Sequence, residues 1–400
     1  MMHPDRLAVL LGNLDQPMPT TNQEWQTLLS QARRARLHGR MAVAMLGQPD
    51  RLGPHLVPAQ AAKADETDAQ DLPSGPLVHL TAALKVCQRV EQGMRLEAER
   101  LADVLRFAGH RTVLLKGAAY LCADLPPSRG RIFGDIDMLV PKDALGAVEA
   151  SLMSGGWISS ELDTYNQCYY RQWMHEIPPL THVKRGSTVD VHHTIAPPTS
   201  AFQVDGKLLL AAARPVGSDG RFWVLQPVDM VLHSAVHLFA EGEFDQGLRD
   251  LLDLHDLLRH FETHESAFWQ SLFARARELR LERPLHHALL HIERLFGPCV
   301  PADLRANTNA ITPPWLQRVT MRWMLTLALR PNHPSCDEFL SGLARWLLYV
   351  RSHWLRMPVH LLVPHLVRKA WKSRFPGGSA RSKSVSNRQA GLAAKAGADQ

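Results

Sequence analysis

Apolar residues recur along this chain at two spacings. Trp25, Leu28, Leu29, Ala32, Leu37 and Met41 follow a 3.6-residue period, so residues 20–47 read as helical. A polar, proline-containing stretch from Pro49 to Gly75 reads as a linker. Leu77, Leu80, Leu84, Val90, Leu96, Leu101 and Leu105 then mark one side of a long helix over 76–109. This helix feeds into Arg111-Thr112-Val113-Leu114-Leu115, a short apolar run of strand character. Ala118-Ala119-Tyr120-Leu121 fits a helix, residues 134–140 a strand, and residues 142–155 a helix closed by Gly155-Gly156. Strand candidates follow at 167–173 and 181–184, and the alternating Thr188-Val189-Asp190-Val191-His192-His193 reads as another. From Pro227 the period is helical again, with helices expected over 228–240 and 247–261. The pattern holds no internal repeat, and strands confined between helical stretches predict an α+β chain. The expected divisions are a helical segment and linker over 1–75, a mixed core over 76–225, a helical domain over 226–372, and a tail over 373–400. The tail is rich in Ser, Gly, Ala and Lys and is expected to be disordered.

The candidate chemistry lies in the strands. Asp135 and Asp137 stand two apart in Gly134-Asp135-Ile136-Asp137-Met138-Leu139-Val140, and strand side chains at i and i+2 share a face. Two carboxylates so close repel each other unless something positive lies between them. A pair of divalent cations is the usual solution in phosphoryl and nucleotidyl transfer. Upstream, the strand that ends at Lys116-Gly117 before a helix start offers backbone N–H groups and a cation to a phosphate. Pro126-Pro127-Ser128-Arg129-Gly130-Arg131 is a turn-rich loop delivering two guanidiniums, which suit triphosphate oxygens. Asp190 supplies a third carboxylate, with His192 on the same strand face, most simply holding Asp190.

These residues, in this order, resemble the bacterial nucleotidyltransferase-like family of the DNA polymerase β superfamily over roughly residues 75 to 260, and more distantly the nucleotidyltransferase toxins of abortive-infection systems. The resemblance implies a polymerase β-like core, a small mixed sheet with helices, in which Asp135, Asp137 and Asp190 bind Mg²⁺ or Mn²⁺. It implies Lys116, Gly117 and Arg131 on the triphosphate side; Gly134 and His192 are further candidates for nucleotide binding. Where the superfamily has Gly-Ser, this chain has Lys116-Gly117. Arg249 and Asp250 also match the family pattern. The simplest reading of that helix is an Arg249–Asp253 pair at i,i+4, and the alternative is that it lies over the cleft. The implied reaction moves a nucleoside monophosphate from an NTP to an acceptor that is an RNA, a protein or a small molecule. The alternative is a catalytically inactive relative that regulates by binding a nucleotide, RNA or protein.

Other features narrow the class. His233 and His237, at i and i+4, read as core or cap histidines, and His182, His192, His193, His286, His287 and His291 are expected to form no metal-ligand set. Five scattered cysteines argue against a disulfide framework or zinc ribbon, and no window is apolar enough to span a membrane, so a cytoplasmic protein is expected. The net charge of +6 is uneven: residues 1–338 hold 34 basic against 38 acidic side chains, and the excess lies in the C-terminal segment. That segment, with its Trp and Leu among Arg, Lys and His, is expected to pack on the core with a basic outer face. Contact with nucleic acid or an anionic surface is the alternative.

Overall fold

In the computed structural model, which describes residues 5–12, 16–47, 72–159, 161, 163–217, 219–240 and 242–356, a seven-stranded mixed sheet is flanked by helices. All of these residues belong to one unit, Met1–Arg356. Three helices come first: α1 (Arg6–Gly12), α2 (Asn22–Arg34) and α3 (His38–Leu46). The single helical run expected over 20–47 is therefore two helices. The first starts at a capping box, in which the Thr21 hydroxyl accepts from the Glu24 N–H and the Glu24 carboxylate accepts from the Thr21 N–H. It stops because Leu37 N–H bonds the Ala32 carbonyl and Arg36 N–H the Arg33 carbonyl, a Schellman closure that leaves Arg36 at φ +53°.

The long helix forms as α4 (Ser74–Phe107), burying Leu80, Cys87, Met94, Ala98, Leu101 and Leu105. It leads into β1 (Val113–Leu114), α5 (Lys116–Cys122), β2 (Ile136–Leu139), α6 (Leu145–Ser154), β3 (Trp157–Ser159), α7 (Thr164–Trp173), β4 (Leu180–His182) and β5 (Thr188–His192). Next come α8 (Gly206–Ala211), β6 (Arg214–Val216), β7 (Phe222–Val224), α9 (Pro227–Ala240) and α10 (Gly247–His264). The strand order is β3-β4-β5-β2-β1-β7-β6. The two central contacts that flank the β2–β1 pair, β2 with β5 and β1 with β7, are parallel, and all other neighbours run antiparallel.

One expected strand is a helix. Residues 167–173 fall in α7, although Tyr169, Tyr170 and Trp173 favour strands: Tyr169 and Trp173 meet edge to face at i,i+4 (5.9 Å), and Arg171 reaches Glu149 of α6 (2.7 and 2.9 Å). Such contacts override an intrinsic preference for β structure. The short strands β3, β6 and β7 and helix α1 carry too few residues for a period and were not anticipated.

The main core runs from Met94 through the sheet to α9 and α10 and onward to the C-terminal helices α11 (Phe268–Glu278), α12 (Glu282–Phe296), α14 (Trp315–Ala328) and α15 (Ser341–Arg356), whereas α13 (Arg305–Ala310) buries no residue. A second cluster joins Leu7, Trp25, Leu28 and Met41 to Leu80 of α4 and to Leu248 and Leu252 of α10. Helix α10 is therefore shared between the N-terminal helices and the sheet. The first turns of the C-terminal segment do pack inward, with Ala344, Leu348 and Ser352 of α15 buried and Trp346 and Trp354 exposed. The rest of that segment and the tail, residues 357–400, and most of the expected linker, residues 48–71, lie outside the described residues. Among the described residues no helix is long and apolar enough to cross a membrane, and the five cysteines are free thiols.

Candidate active site

The site is set by register. In the parallel β2–β5 pair, Asp137 lies directly beside Asp190 and Leu139 beside His192. Neighbours across a ladder share a face, so Asp190 and His192 project on the side of Asp137, with strands about 4.8 Å apart. Asp135 precedes β2 by one residue and is exposed, whereas Asp137 is buried. The two members of the Asp-x-Asp pair are thus unequal.

Asp137 Oδ1 accepts from Lys116 Nζ at 3.1 Å and from His192 Nε2 at 2.9 Å. Burial alone would raise its pKa, but Lys116, the His192 hydrogen bond and nearby His237 outweigh that and hold the carboxylate well below its ordinary range. His192 is buried, which lowers its pKa; Asp137 and Glu176 more than reverse this, and the net shift is upward. Asp190 behaves oppositely. Burial, and then the charges of Asp137, Glu176 and Asp135, push it up to about 7. Its Oδ1 is buried without a hydrogen-bond partner. His192 thus bonds Asp137, where the sequence reading had it holding Asp190.

Lys116 opens α5 with φ +46°, a left-handed conformation that a non-glycine residue adopts at some cost. Gly117 follows, and a Cβ there would come within 3.3 Å of Arg131 Nε, so the missing side chain leaves room for that guanidinium. Arg131 donates to Asp253 of α10 and lies 5.8 Å from the Tyr120 ring. Arg249 donates to Asp250 (2.6 and 2.9 Å), so in place of the expected Arg249–Asp253 pair there are two others, Arg249–Asp250 and Arg131–Asp253. Burial raises Asp253 despite the pull of Arg131, whereas Arg249 and His237 overcome burial and lower Asp250.

Together these groups bound a polar cleft of about 350 Å³. That is within the range of small-ligand sites. Lys116, Gly117, Arg131, Gly134, Asp135, Asp137, Arg249 and Asp250 line it, and α10 does lie over it. Asp190 and His192 are absent from the lining and stand behind Asp137 on β5. The sequence reading missed Arg36, His237, Glu243, Asp245 and Gln246, which also line the cleft. Of these, Arg36 is 80 positions before Lys116 and carries no local signal. It is brought in where Gly39 of α3 crosses Gly130 backbone to backbone, so closely that a Cβ on either would overlap the other's main chain. His233, by contrast, is a buried core histidine whose pKa burial and Lys116 drive far down.

The family model of the uncharacterised nucleotidyltransferases matches residues 21–297, and the chain belongs to that family. The match starts one residue before α2 and ends just after α12, so every residue lining the cleft lies inside it. Comparison with curated proteins and with solved structures finds no match.

Proposed function

We propose that the cleft binds an NTP as its divalent-cation complex on a polymerase β-like core, and transfers the nucleoside monophosphate to a hydroxyl or phosphate of an acceptor. The observation that carries this reading is the side-by-side register of Asp137 and Asp190 behind Asp135, with a buried, unpartnered Asp190 Oδ1 among three other carboxylates. That donor set is all oxygen and carries excess negative charge, which fits Mg²⁺ or Mn²⁺. Held by Asp135, Asp137 and Asp190, such ions would neutralise the triphosphate and lower the acceptor's pKa.

The chain's own cations do the remaining work. Lys116, Arg131 and Arg36 face the cleft from three elements and stabilise charge on the departing pyrophosphate as the α-phosphorus bond to it breaks and the acceptor oxygen bonds in its place. Arg131 is preorganised by Asp253 and so loses little freedom on binding. The second reading, a catalytically silent binder, has one observation in its favour: Lys116 and His192 both occupy Asp137 Oδ1.

Incubation with each α-³²P-labelled NTP, Mg²⁺ or Mn²⁺ and lysate split into RNA, protein and small-molecule fractions separates the two. Label moved by the wild type and by no Asp137→Asn sample supports transfer and reveals the acceptor class. Metal-dependent NTP binding with no label in any fraction selects the silent binder.

A further inference from the structure

A second group of donors lies beyond His192 as seen from Asp137. His175 and Glu176 follow α7, and the backbone there pairs with β5. Ile177 N–H bonds the Val191 carbonyl at 3.0 Å, His193 N–H bonds the His175 carbonyl at 2.8 Å, and Glu176 sits opposite His192 in an antiparallel bridge. This pairing brings a ligand-capable atom from each of His175, Glu176 and His192 within 4.8 Å of the others. The His175 and His192 rings are 5.1 Å apart and tilted by 33°. His192 Nδ1 lies 3.4 Å from Glu176 Oε2 yet makes no hydrogen bond, in a side chain only 2% exposed.

The other ring nitrogen decides what Nδ1 can be. The Asp137 carboxylate only accepts, so His192 Nε2 carries the proton of that 2.9 Å hydrogen bond. In the neutral ring Nδ1 then presents a lone pair to Glu176 and His175. A carboxylate holding one imidazole nitrogen while a metal takes the other is a recurrent arrangement around transition metals. Ligands about 2.1 Å from a tetrahedral zinc stand roughly 3.4 Å apart, which is the spacing that Nδ1 and Oε2 already have. Closure by up to about 1.4 Å would complete the set with His175.

We propose that His175, Glu176 and His192 bind a divalent transition metal of the zinc class, at a site distinct from the nucleotide cleft and joined to it by the His192–Asp137 hydrogen bond. Two imidazoles and one carboxylate favour such an ion over Mg²⁺ or Ca²⁺, which take oxygen ligands. A cation on Nδ1 fixes His192 as the neutral Nε2–H tautomer and thereby fixes the orientation of Asp137. The site does not depend on nucleotidyl transfer, because its ligands and its test are separate from that reaction.

The test is Zn²⁺ titration of the full chain after chelator treatment, with Mg²⁺ in large excess, followed by absorption spectra with Co²⁺ in place of Zn²⁺. Expected are one tight Zn²⁺ per wild-type chain, affinity weaker by about 100-fold or more in Glu176→Gln and His175→Gln, and unchanged affinity in the cleft variant Asp135→Asn. The Co²⁺ form should show the intense visible bands of a four-coordinate site. A wild type that binds no Zn²⁺, equal affinity in Glu176→Gln and His175→Gln, or loss of binding in Asp135→Asn overturns the proposal and leaves His192 as an imidazolium between two carboxylates. If the two ligand variants do not fold, the wild-type Co²⁺ spectrum decides, and weak octahedral bands count against the site.

Discussion

Asp137 is the carboxylate on which the cleft's charges converge, with Lys116 and His192 on one oxygen and Asp190 beside it in the next strand. An Asp137→Asn change keeps the shape and removes the charge. We predict loss of turnover to background with a folded protein by circular dichroism; retained turnover would contradict the role given to this residue. Arg36 sits in the cleft wall, and among the described residues its guanidinium makes no ion pair or side-chain hydrogen bond. Arg36→Ala should raise the NTP KM about tenfold, the effect of losing roughly 1.4 kcal/mol from a charge-assisted contact. An unchanged KM would remove Arg36 from the nucleotide site. The pairing of Asp137 with Asp190 was approachable from the sequence because alternation marks each as a strand residue, whereas Asp135 lies one residue before β2 and is exposed. Arg36, His175 and Glu176 were not legible there, since each depends on a crossing or a backbone bridge between distant segments.

Elements, more than individual side chains, hold the cationic wall together. The Gly39–Gly130 crossing puts α3 against the loop that carries Arg131, with Cys87 of α4 packed on the same spot. A Cβ on Gly39 would overlap both Cys87 Sγ and the Gly130 carbonyl oxygen, and backbone cannot yield as a flexible side chain does. Gly39→Ala should cost about 3 kcal/mol in urea unfolding, and in the surviving native fraction it should weaken NTP binding by separating Arg36 from Arg131. Stability within 0.5 kcal/mol of wild type, on the scale of a surface substitution, would show the crossing to be loose. Helix α10 adds a second tie, with Asp253 paired to Arg131 and Asp256 to Arg40. The sequence located α10, α9 and the long α4 well, because each shows several turns of periodicity. It misread 167–173, where strand-favouring aromatics sit in a helix with Tyr169 and Trp173 in contact one turn apart, and it missed three-residue strands that have no period to detect.

At the scale of the whole molecule, α12 gives the fold a dependence on acid. His286, His287 and His291 are buried, and burial lowers their pKa values from 6.5 to about 4, 3 and 3. His287 and His291 flank Phe239, and neither ring nitrogen of either has a hydrogen-bond partner. Their folded pKa values lie below the unfolded value, so stability is complete above pH 6.5. It falls as the unfolded chain takes up protons that the folded chain refuses. Each histidine removes about 1.4 kcal/mol per pH unit through that window. Urea midpoints should therefore drop between pH 7.5 and 5, and His291→Leu should flatten the slope by one residue's share. Midpoints that do not move with pH would mean that these rings are solvated.

The family assignment and the register of β2 against β5 meet in one claim, that Asp135, Asp137 and Asp190 act together on a metal-bound nucleotide. Calorimetric titration with a non-hydrolysable NTP analogue, with and without Mg²⁺, in the wild type and in Asp190→Asn tests it most directly. Binding should require Mg²⁺ and be lost in Asp190→Asn, although Asp190 lies outside the cleft lining. Binding that is indifferent to Mg²⁺, or equal in the two proteins, would contradict it.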